Sequence, residues 1–547
     1  MSLSRASGLC RLALRSQWAC VRLLSSVAAD GKPPGGEDKP RRLVDLEALR
    51  RERALRPPVE RTQPAPLRKA VYTLKSSYEQ LQLSKAIRDS DTVDAVLDLA
   101  AARPALLNHV GASMALSKIA KLFGKREPAL WLKEDARFKQ VMKAALSLME
   151  RKVMDSQGFS NMLYAFGQLG ITPPSDWLQR YWHTSASKLG EFKPQELSNT
   201  MYACGQLGIS LPADWLHRYW HSSASKLGEF KSQELSNTLF ACGQLGITPP
   251  ADWLQRYWHS SSAKLGEFST QAFSNTVYAC GQLDITPPAE WLQQYWYASA
   301  SKLGEFKPQE LNTVYACGQL GITPPADWLQ QYWYASASKL GEFKPQDFSN
   351  TVYACGQLGI TPPADWLEGY WHASASKLGE FSTQGLSNTV YACGQLGITP
   401  PADWLQRYWD ANVLKLGDFI PQHYSNTVYA CGQLGITPPA DWLLSLSDSY
   451  ERLLPGATCQ ELANTALSLA TLGLWEMPLW LGLWERICQS LPSDTSTNYI
   501  RRTKLLLWSG LACWQRLTLS CWLLPARAGS TAWTTGLAGF TTRYPLV

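Results

Sequence analysis

The chain has 547 residues, of which 45% are hydrophobic and 18% charged, and a formal net charge of +7. This describes a soluble, foldable chain and excludes one too polar to bury a core. Its length suggests several domains, but the fixed internal period described below overrides that expectation.

Residues 1–29 carry Arg5, Arg11, Arg15 and Arg22 among Ser and Ala, with no acid before Asp30 and no long apolar run. This pattern predicts an organelle transit peptide, cleaved around Ser25–Ala29, and fits chloroplast or mitochondrial import alike. Residues 30–69 open with Gly31-Lys-Pro-Pro-Gly-Gly36 and continue rich in Arg and Pro, as in a flexible linker. Residues 70–157 read as a helical N-terminal cap of degenerate repeats. Within it, the stretch from Leu107-Asn108-His109 to Gly124 echoes the first helix of the later repeats, and Arg137 to Met154 reads as a longer second helix.

From 158 to 492 the chain repeats. Asn161, Asn199, Asn237, Asn275, Asn312, Asn350, Asn388, Asn426 and, in a divergent last unit, Asn464 follow one another at intervals of 38 residues, with a single 37 before Asn312. Such a period predicts an all-α fold: a right-handed superhelical α-solenoid of about nine 38-residue helix-turn-helix repeats. Each unit carries two helix signals. Helix A follows Lys193-Pro194-Gln195, or Ser-Thr-Gln in other copies, and stops at Gly208. Helix B opens at Thr248-Pro249-Pro250, with Thr248 expected as cap, and runs through Lys264-Leu265 to Gly266. Where Leu311 is followed directly by Asn312, one residue is missing and the preceding turn is rotated by about 100°; a frayed first turn is expected to absorb it. After residue 493 the pattern is lost. Lys504 to Pro525 is apolar but interrupted by Gln515 and Arg516, which argues for a capping helix in a C-terminal extension (493–547) rather than a membrane span.

Spacing assigns the faces. Trp215, Leu216, Tyr219, Trp220, Ser223 and Leu227 form one stripe on helix B, with His217, Arg218, His221 and Ser225 opposite. Leu197, Met201, Cys204 and Leu207 form the buried stripe of helix A, the expected inner layer. Seven of the 13 cysteines recur at the Cys204 position, where stacked repeats hold equivalent Cα atoms about 10 Å apart, beyond the roughly 7 Å reach of a disulfide. Buried thiols in a reducing compartment are expected. His183, His221, His259 and His372 recur at a position where other copies have Tyr297, Tyr334 or Asp410, as on a variable solvent face. No metal spacing, phosphate loop or catalytic constellation stands out, so neither an enzyme nor a cofactor is expected.

A second line on helix A remains: an Asn, an aromatic ring and a Gln at i, i+3 and i+7. The members are Asn161, Tyr164 and Gln168; Asn199, Tyr202 and Gln206; Asn237, Phe240 and Gln244; Asn275, Tyr278 and Gln282; Asn312, Tyr315 and Gln319; Asn350, Tyr353 and Gln357; Asn388, Tyr391 and Gln395; and Asn426, Tyr429 and Gln433. Amides donate and accept and so match base edges, while a ring stacks on an unpaired base for about 1–3 kcal/mol. On pattern alone the line serves equally to bond neighbouring backbone and to pack between helices. The array is nearly neutral: in 199–236, Arg218, Lys226 and Lys231 balance Asp214, Glu229 and Glu234. Phosphate contacts would therefore fall to the ladder Lys188, Lys226, Lys264, Lys302, Lys339, Lys377 and Lys415.

The period, the Ser-Asn-Thr-x-Tyr-Ala-x-Gly-Gln-Leu-Gly helix and the Pro-Pro-Ala-Asp-Trp-Leu opening of helix B resemble octotricopeptide repeat proteins of green-algal organelles, over roughly 158–492. No RAP domain, which many members carry, is found after residue 493, and these repeats are more uniform than is usual in the family. The resemblance implies single-stranded organelle RNA held on the concave side, control of transcript stability, processing or translation, RNA-processing proteins as further partners, and the chloroplast stroma before the mitochondrial matrix. If one unit reads one nucleotide, uniform units imply a low-complexity target of about eight to ten nucleotides. A protein-interaction scaffold is the alternative from another class.

Overall fold

The structure is a computed structural model that describes residues 65–124 and 129–474. The expected transit peptide and C-terminal extension lie outside those residues. Among the described residues there are 21 α-helices and no strand. Four precede the array: α1 (Ala65–Asp89), α2 (Val93–Ala102), α3 (His109–Phe123) and α4 (Ala136–Glu150). Helix α1 therefore begins inside the stretch read as linker. The A helices are α5 (Ser156–Leu169), α7 (Pro194–Leu207), α9 (Ser232–Leu245), α11 (Thr270–Leu283), α13 (Thr313–Leu320), α15 (Pro345–Leu358), α17 (Thr383–Leu396), α19 (Pro421–Leu434) and α21 (Cys459–Thr471). The B helices are α6 (Ser175–Ala186), α8 (Ala213–Ala224), α10 (Ala251–Ser262), α12 (Ala289–Ala300), α14 (Ala326–Ala337), α16 (Ala364–Ala375), α18 (Ala402–Val413) and α20 (Ala440–Leu453). Contacts divide the chain into two compact units between Tyr295 and Trp296. Within each unit consecutive helix pairs stack as a repeat solenoid, A upon A and B upon B.

Local chemistry sets the helix ends. In α7, Pro194 takes the first turn and the Glu196 carboxylate accepts from the Lys193 backbone N–H at 2.9 Å. In α11, Ser269 Oγ accepts from Ala272 N instead. Gly208 ends α7 in the left-handed region at φ 63°, and Ile209 N then reaches the Cys204 carbonyl at 3.1 Å. Helix B differs from expectation at both ends. Pro250 holds the cap position of α10 without a side-chain hydrogen bond, so Thr248 lies outside the helix. The helix stops at Ser262, and Leu265–Glu267 forms a separate 3-10 turn.

The B helices carry most of the aromatic core. Trp215, Tyr219 and Trp220 are buried, as is the Ser223 hydroxyl. Trp253 Nε1 donates to Ser223 Oγ at 2.9 Å, one repeat back, and Trp215 to Ser185, Trp291 to Ser261, Trp366 to Ser336 and Trp404 to Ser374 repeat the bond at the same distance. An indole N–H buried without a partner costs about 1–3 kcal/mol, so these serines fit each repeat to its neighbour. The rings touch as well: Trp215 stacks on Tyr219 at 5.5 Å, Tyr219 meets Trp220 edge-on at 5.2 Å, and Trp220 meets Trp253 at 5.2 Å.

The cap is a weakened continuation of the same scheme. Helix α3 packs on α5 as an A helix would, and α4 packs on α6 as a B helix would. Arg137 ties α4 to α2 by pairing with Asp94, Asp98 and Asp135, each at 2.7 Å. Beside that guanidinium, the Asp135 carboxyl is held down to about 2.

Candidate nucleic-acid interface

The A helices form the tighter row of each unit. A Cβ added to Gly205 would lie 3.0 Å from the Ala241 Cα, and one added to Gly243 would lie 3.0 Å from the Ala279 Cα. Small residues here let whole helix backbones touch. Cys204 and Thr200 are buried beneath this contact, with Met201. All seven cysteines at this position are free and buried, and burial pushes the thiols of Cys317, Cys355, Cys393 and Cys431 up to about 12. They fill space and stay protonated.

The face of each A helix left partly open is the Asn–aromatic–Gln line. Asn199, Tyr202 and Gln206 are half-buried between buried neighbours, as are their equivalents in α5, α9 and α11. In α15, α17 and α19, Gln357, Gln395 and Gln433 are exposed. Among the described residues, the side-chain amides of Asn161, Asn199, Asn237, Asn275, Asn388 and Asn426 bond no other group of the chain. In two repeats the neighbouring serine bonds the next A helix, Ser198 Oγ donating to the Glu234 carbonyl at 3.0 Å and Ser160 Oγ to the Glu196 carbonyl at 3.0 Å; Ser236, Ser349 and Ser387 bond their own helix instead. The Gln side chains lie over the glycine of the preceding A helix, where Gln244 Oε1 would meet a Cβ on Gly205 at 2.8 Å. That oxygen is buried and has no hydrogen-bond partner. Neighbouring rings run beside one another, Tyr391 and Tyr429 at 5.3 Å and Phe240 and Tyr278 at 6.1 Å. Rings this close leave no gap for another flat ring between them, so the row offers its outer surface only.

The line is longer than its sequence reading. Gln195, Gln233 and their equivalents Gln271, Gln309, Gln346, Gln384 and Gln422 stand four residues before the Asn, or three before Asn312. Gln195 and Gln233 are exposed and the rest half-buried, so each extends the open line by one turn. Their repetition at the same 38-residue interval was the available signal; as part of Lys-Pro-Gln they read only as a helix start.

Asn312, expected on this line, is not on it. Pro308–Asn312 forms a 3-10 segment ahead of α13. Five residues at 120° each turn through about the same 600° as six α-helical residues at 100°, so the missing residue is absorbed by tightening rather than fraying. Leu311 stays buried, and its carbonyl accepts from Tyr332 Oη at 3.2 Å, as the Leu197 carbonyl does from Tyr219 Oη at 3.4 Å. Asn312 is buried (6% exposed) and its Nδ2 donates to Asp347 Oδ1 at 3.1 Å. Tyr315 is buried too, and Gln319 Nε2 donates to its hydroxyl at 3.4 Å.

The lysine ladder has work inside the fold. Lys226 Nζ donates to the Gly190 carbonyl at 2.7 Å and to the Phe192 carbonyl, both in the turn of the preceding repeat. Lys264, Lys339, Lys377 and Lys415 make the same pair of bonds, and Lys188 reaches the Met154 carbonyl. All seven lysines, Lys302 included, are half-buried. They sit at the turns that lead into the A helices. Among the described residues, no group of three or more His, Cys, Asp and Glu side chains could hold a metal ion, and no helix is long and apolar enough to cross a membrane.

Comparison with known families meets this array directly. The chain is similar to the Tbc2 translation factors. Residues 86–283 match the C-terminal domain of the Tbc2 translation factor family, and residues 294–413 and 329–476 match its N-terminal domain. The two N-terminal-domain matches start 35 residues apart, close to one repeat, as expected where like units slide past one another. No curated protein matches the chain. Among solved structures, it is similar to a homology model of the full-length AP-3 complex in an intermediate open conformation (11% identity, TM-score 0.29, covering 82% of this chain and 92% of that one). It is also similar to an engineered protein (10% identity, TM-score 0.17, covering 73% and 98%). Similarities this low carry no argument.

Proposed function

We propose that the array binds single-stranded RNA sequence-specifically along its A helices, and that the protein acts in organelle gene expression at the level of translation, transcript stability or processing. The observation that carries this reading is the set of half-buried Asn amides at Asn161, Asn199, Asn237, Asn275, Asn388 and Asn426, which no group among the described residues bonds. A half-buried amide gains most from a ligand that supplies both donor and acceptor, as a base edge does. The row of rings beside it offers the stacking surface. The match to translation factor domains supports the same direction, and the Arg- and Ser-rich N-terminus supports import into an organelle, with the chloroplast stroma preferred to the mitochondrial matrix. The array acts as a reader and not as an enzyme, and RNA-processing proteins are its further partners.

The test is selection from a randomised single-stranded RNA pool with the full chain at about 150 mM salt, followed by binding of the enriched RNA to an Asn199→Ala, Asn237→Ala, Asn388→Ala triple variant. A short enriched motif, lost in the triple variant while the helical content is kept, is the expected result. Absence of enrichment, or a triple variant that binds equally well, overturns the reading. The scaffold alternative has one observation of its own: Tyr297 and Tyr334 are 86% and 87% exposed on successive B helices. A partner bound there would be released by Tyr297→Ser with Tyr334→Ser and unaffected by the Asn substitutions.

A further inference from the structure

We propose that the repeat containing Asn312 is a blank: it occupies a place in the array but selects no nucleotide, so the series of reading groups along the chain is interrupted there. The inference rests on the RNA-reading proposal and goes beyond it by assigning which repeats read.

Two of the three side chains that would form the fifth reading group, Asn312 and Tyr315, are buried, and Gln319 is half-buried. Asn312 is buried, and its amide nitrogen is bonded to Asp347 of the next repeat. Its amide oxygen is enclosed as well. Tyr315 is buried, and its hydroxyl accepts from Gln319 of the same helix. In every other repeat from α5 to α19 the Asn and the ring are half-buried rather than buried, with the Nδ2 of Asn350 enclosed. The cause is local to this repeat. Of the repeats from α5 to α19 it alone lacks the Ser before Asn, and the repeat that follows is the one with Asp where others have Gly158, Glu196, Glu234, Ala272, Gly385 or His423. Asp347 is itself buried and accepts from Lys344 N at 2.9 Å, which fixes its carboxylate where the Asn312 amide meets it. Burial raises the Asp347 pKa, and its hydrogen bonds to Lys344 N and Asn312 oppose that rise. Separating Asn312 from Asp347 would leave a buried carboxylate short of a donor, so the fifth amide is held away from any ligand.

In chain order, four open groups (Asn161, Asn199, Asn237, Asn275) precede the blank and three (Asn350, Asn388, Asn426) follow it. The expected RNA consensus has no preference at the place of the fifth group and a preference at the places of the three groups that follow it in the same unit.

The experiment is selection and sequencing with the unaltered full chain and with two variants. One inserts Ser between Leu311 and Asn312. The other is Asp347→Ala, which places at this site the residue that another repeat carries as Ala272. Circular dichroism and a melting curve establish that each variant folds, and Asp347→Ala keeps the test valid if the insertion does not. The expected result is a fifth position with no preference in the unaltered chain and a preference of about tenfold in a folded variant, comparable to its neighbours. An uninterrupted consensus in the unaltered chain overturns the blank while leaving RNA reading intact. So does a gap elsewhere, or a fifth position that stays unselected when Asn312 is released. If no variant and no unaltered chain enriches any RNA, the reading proposal falls and the blank falls with it.

Discussion

Gly394 stands so close to Ala430 of the next A helix that a Cβ placed on it would lie 2.8 Å from the Ala430 Cα. The neighbour is backbone, which cannot swing aside as a side chain can. Gly394→Ala is therefore expected to destabilise the protein by about 1–3 kcal/mol through overpacking. Gly379, in the turn before that helix, has open space at its Cβ position, and Gly379→Ala is expected to stay within about 0.5 kcal/mol of the unaltered chain. Urea unfolding of both variants checks the contrast.

The lysine ladder makes a second expectation. Seven phosphate-neutralising lysines would give a slope of log K against log salt of about −5 on a single strand. Because these ammonium groups hold backbone carbonyls of the preceding turn, the measured slope is expected to be shallow, of magnitude below about 2. Lys226→Met is expected to lower stability by about 1–2 kcal/mol, with RNA affinity changed much less. A steep slope, reduced by about 0.7 in Lys226→Met, would return the ladder to the phosphates.

Asp284 closes helix α11 at φ 58°, in the left-handed region where the other A helices from α5 to α19 have glycine. A side chain in that conformation costs about 1 kcal/mol relative to glycine. Asp284→Gly is expected to raise the melting temperature by a few degrees, read by calorimetry.

His423 takes the helix-start position held elsewhere by Glu196, and burial lowers its pKa to about 4. The unfolded chain, with an ordinary histidine near 6.5, then binds more protons than the folded chain between those values. The stability tied to neutral His423 is complete above pH about 6.5 and is lost as pH falls towards about 4. In His423→Gln that part of the acid sensitivity is expected to vanish, measured as the difference in unfolding free energy between pH 7 and pH 4.5.

The repeat and the faces of its helices were legible because spacing encodes them. Leu197 and Met201 recur at helical intervals and are buried; Asn199 and Tyr202 form the line beside them and are partly open. What spacing does not encode is contact across repeats. Helix α10 stops at Ser262 rather than Gly266 because Lys264 turns out of the helix to reach the Gly228 carbonyl, 36 residues earlier. Asn312 was assigned to the open line by register alone, whereas its burial depends on Asp347, 35 residues later. The unbonded Asn amides are not legible in spacing either, because what else could bond them depends on contacts between repeats such as that of Ser198 with the Glu234 carbonyl.

The bond from Trp253 to Ser223 has a consequence for heredity. Its donor and acceptor lie 30 residues apart, as do those of Trp215, Trp291, Trp366 and Trp404. The repeats joined by these bonds thus present the same trailing serine and the same leading indole, so one such copy fits behind another; at Trp442 the acceptor is Asn412 Oδ1 instead. Near-identical gene segments of 38 codons can recombine out of register, and the product gains or loses a whole unit with every such joint remade. Loss of one codon, as before Asn312, instead forces a helix to rewind. The length of the array can therefore change in whole steps between generations, each adding or removing one place along the row.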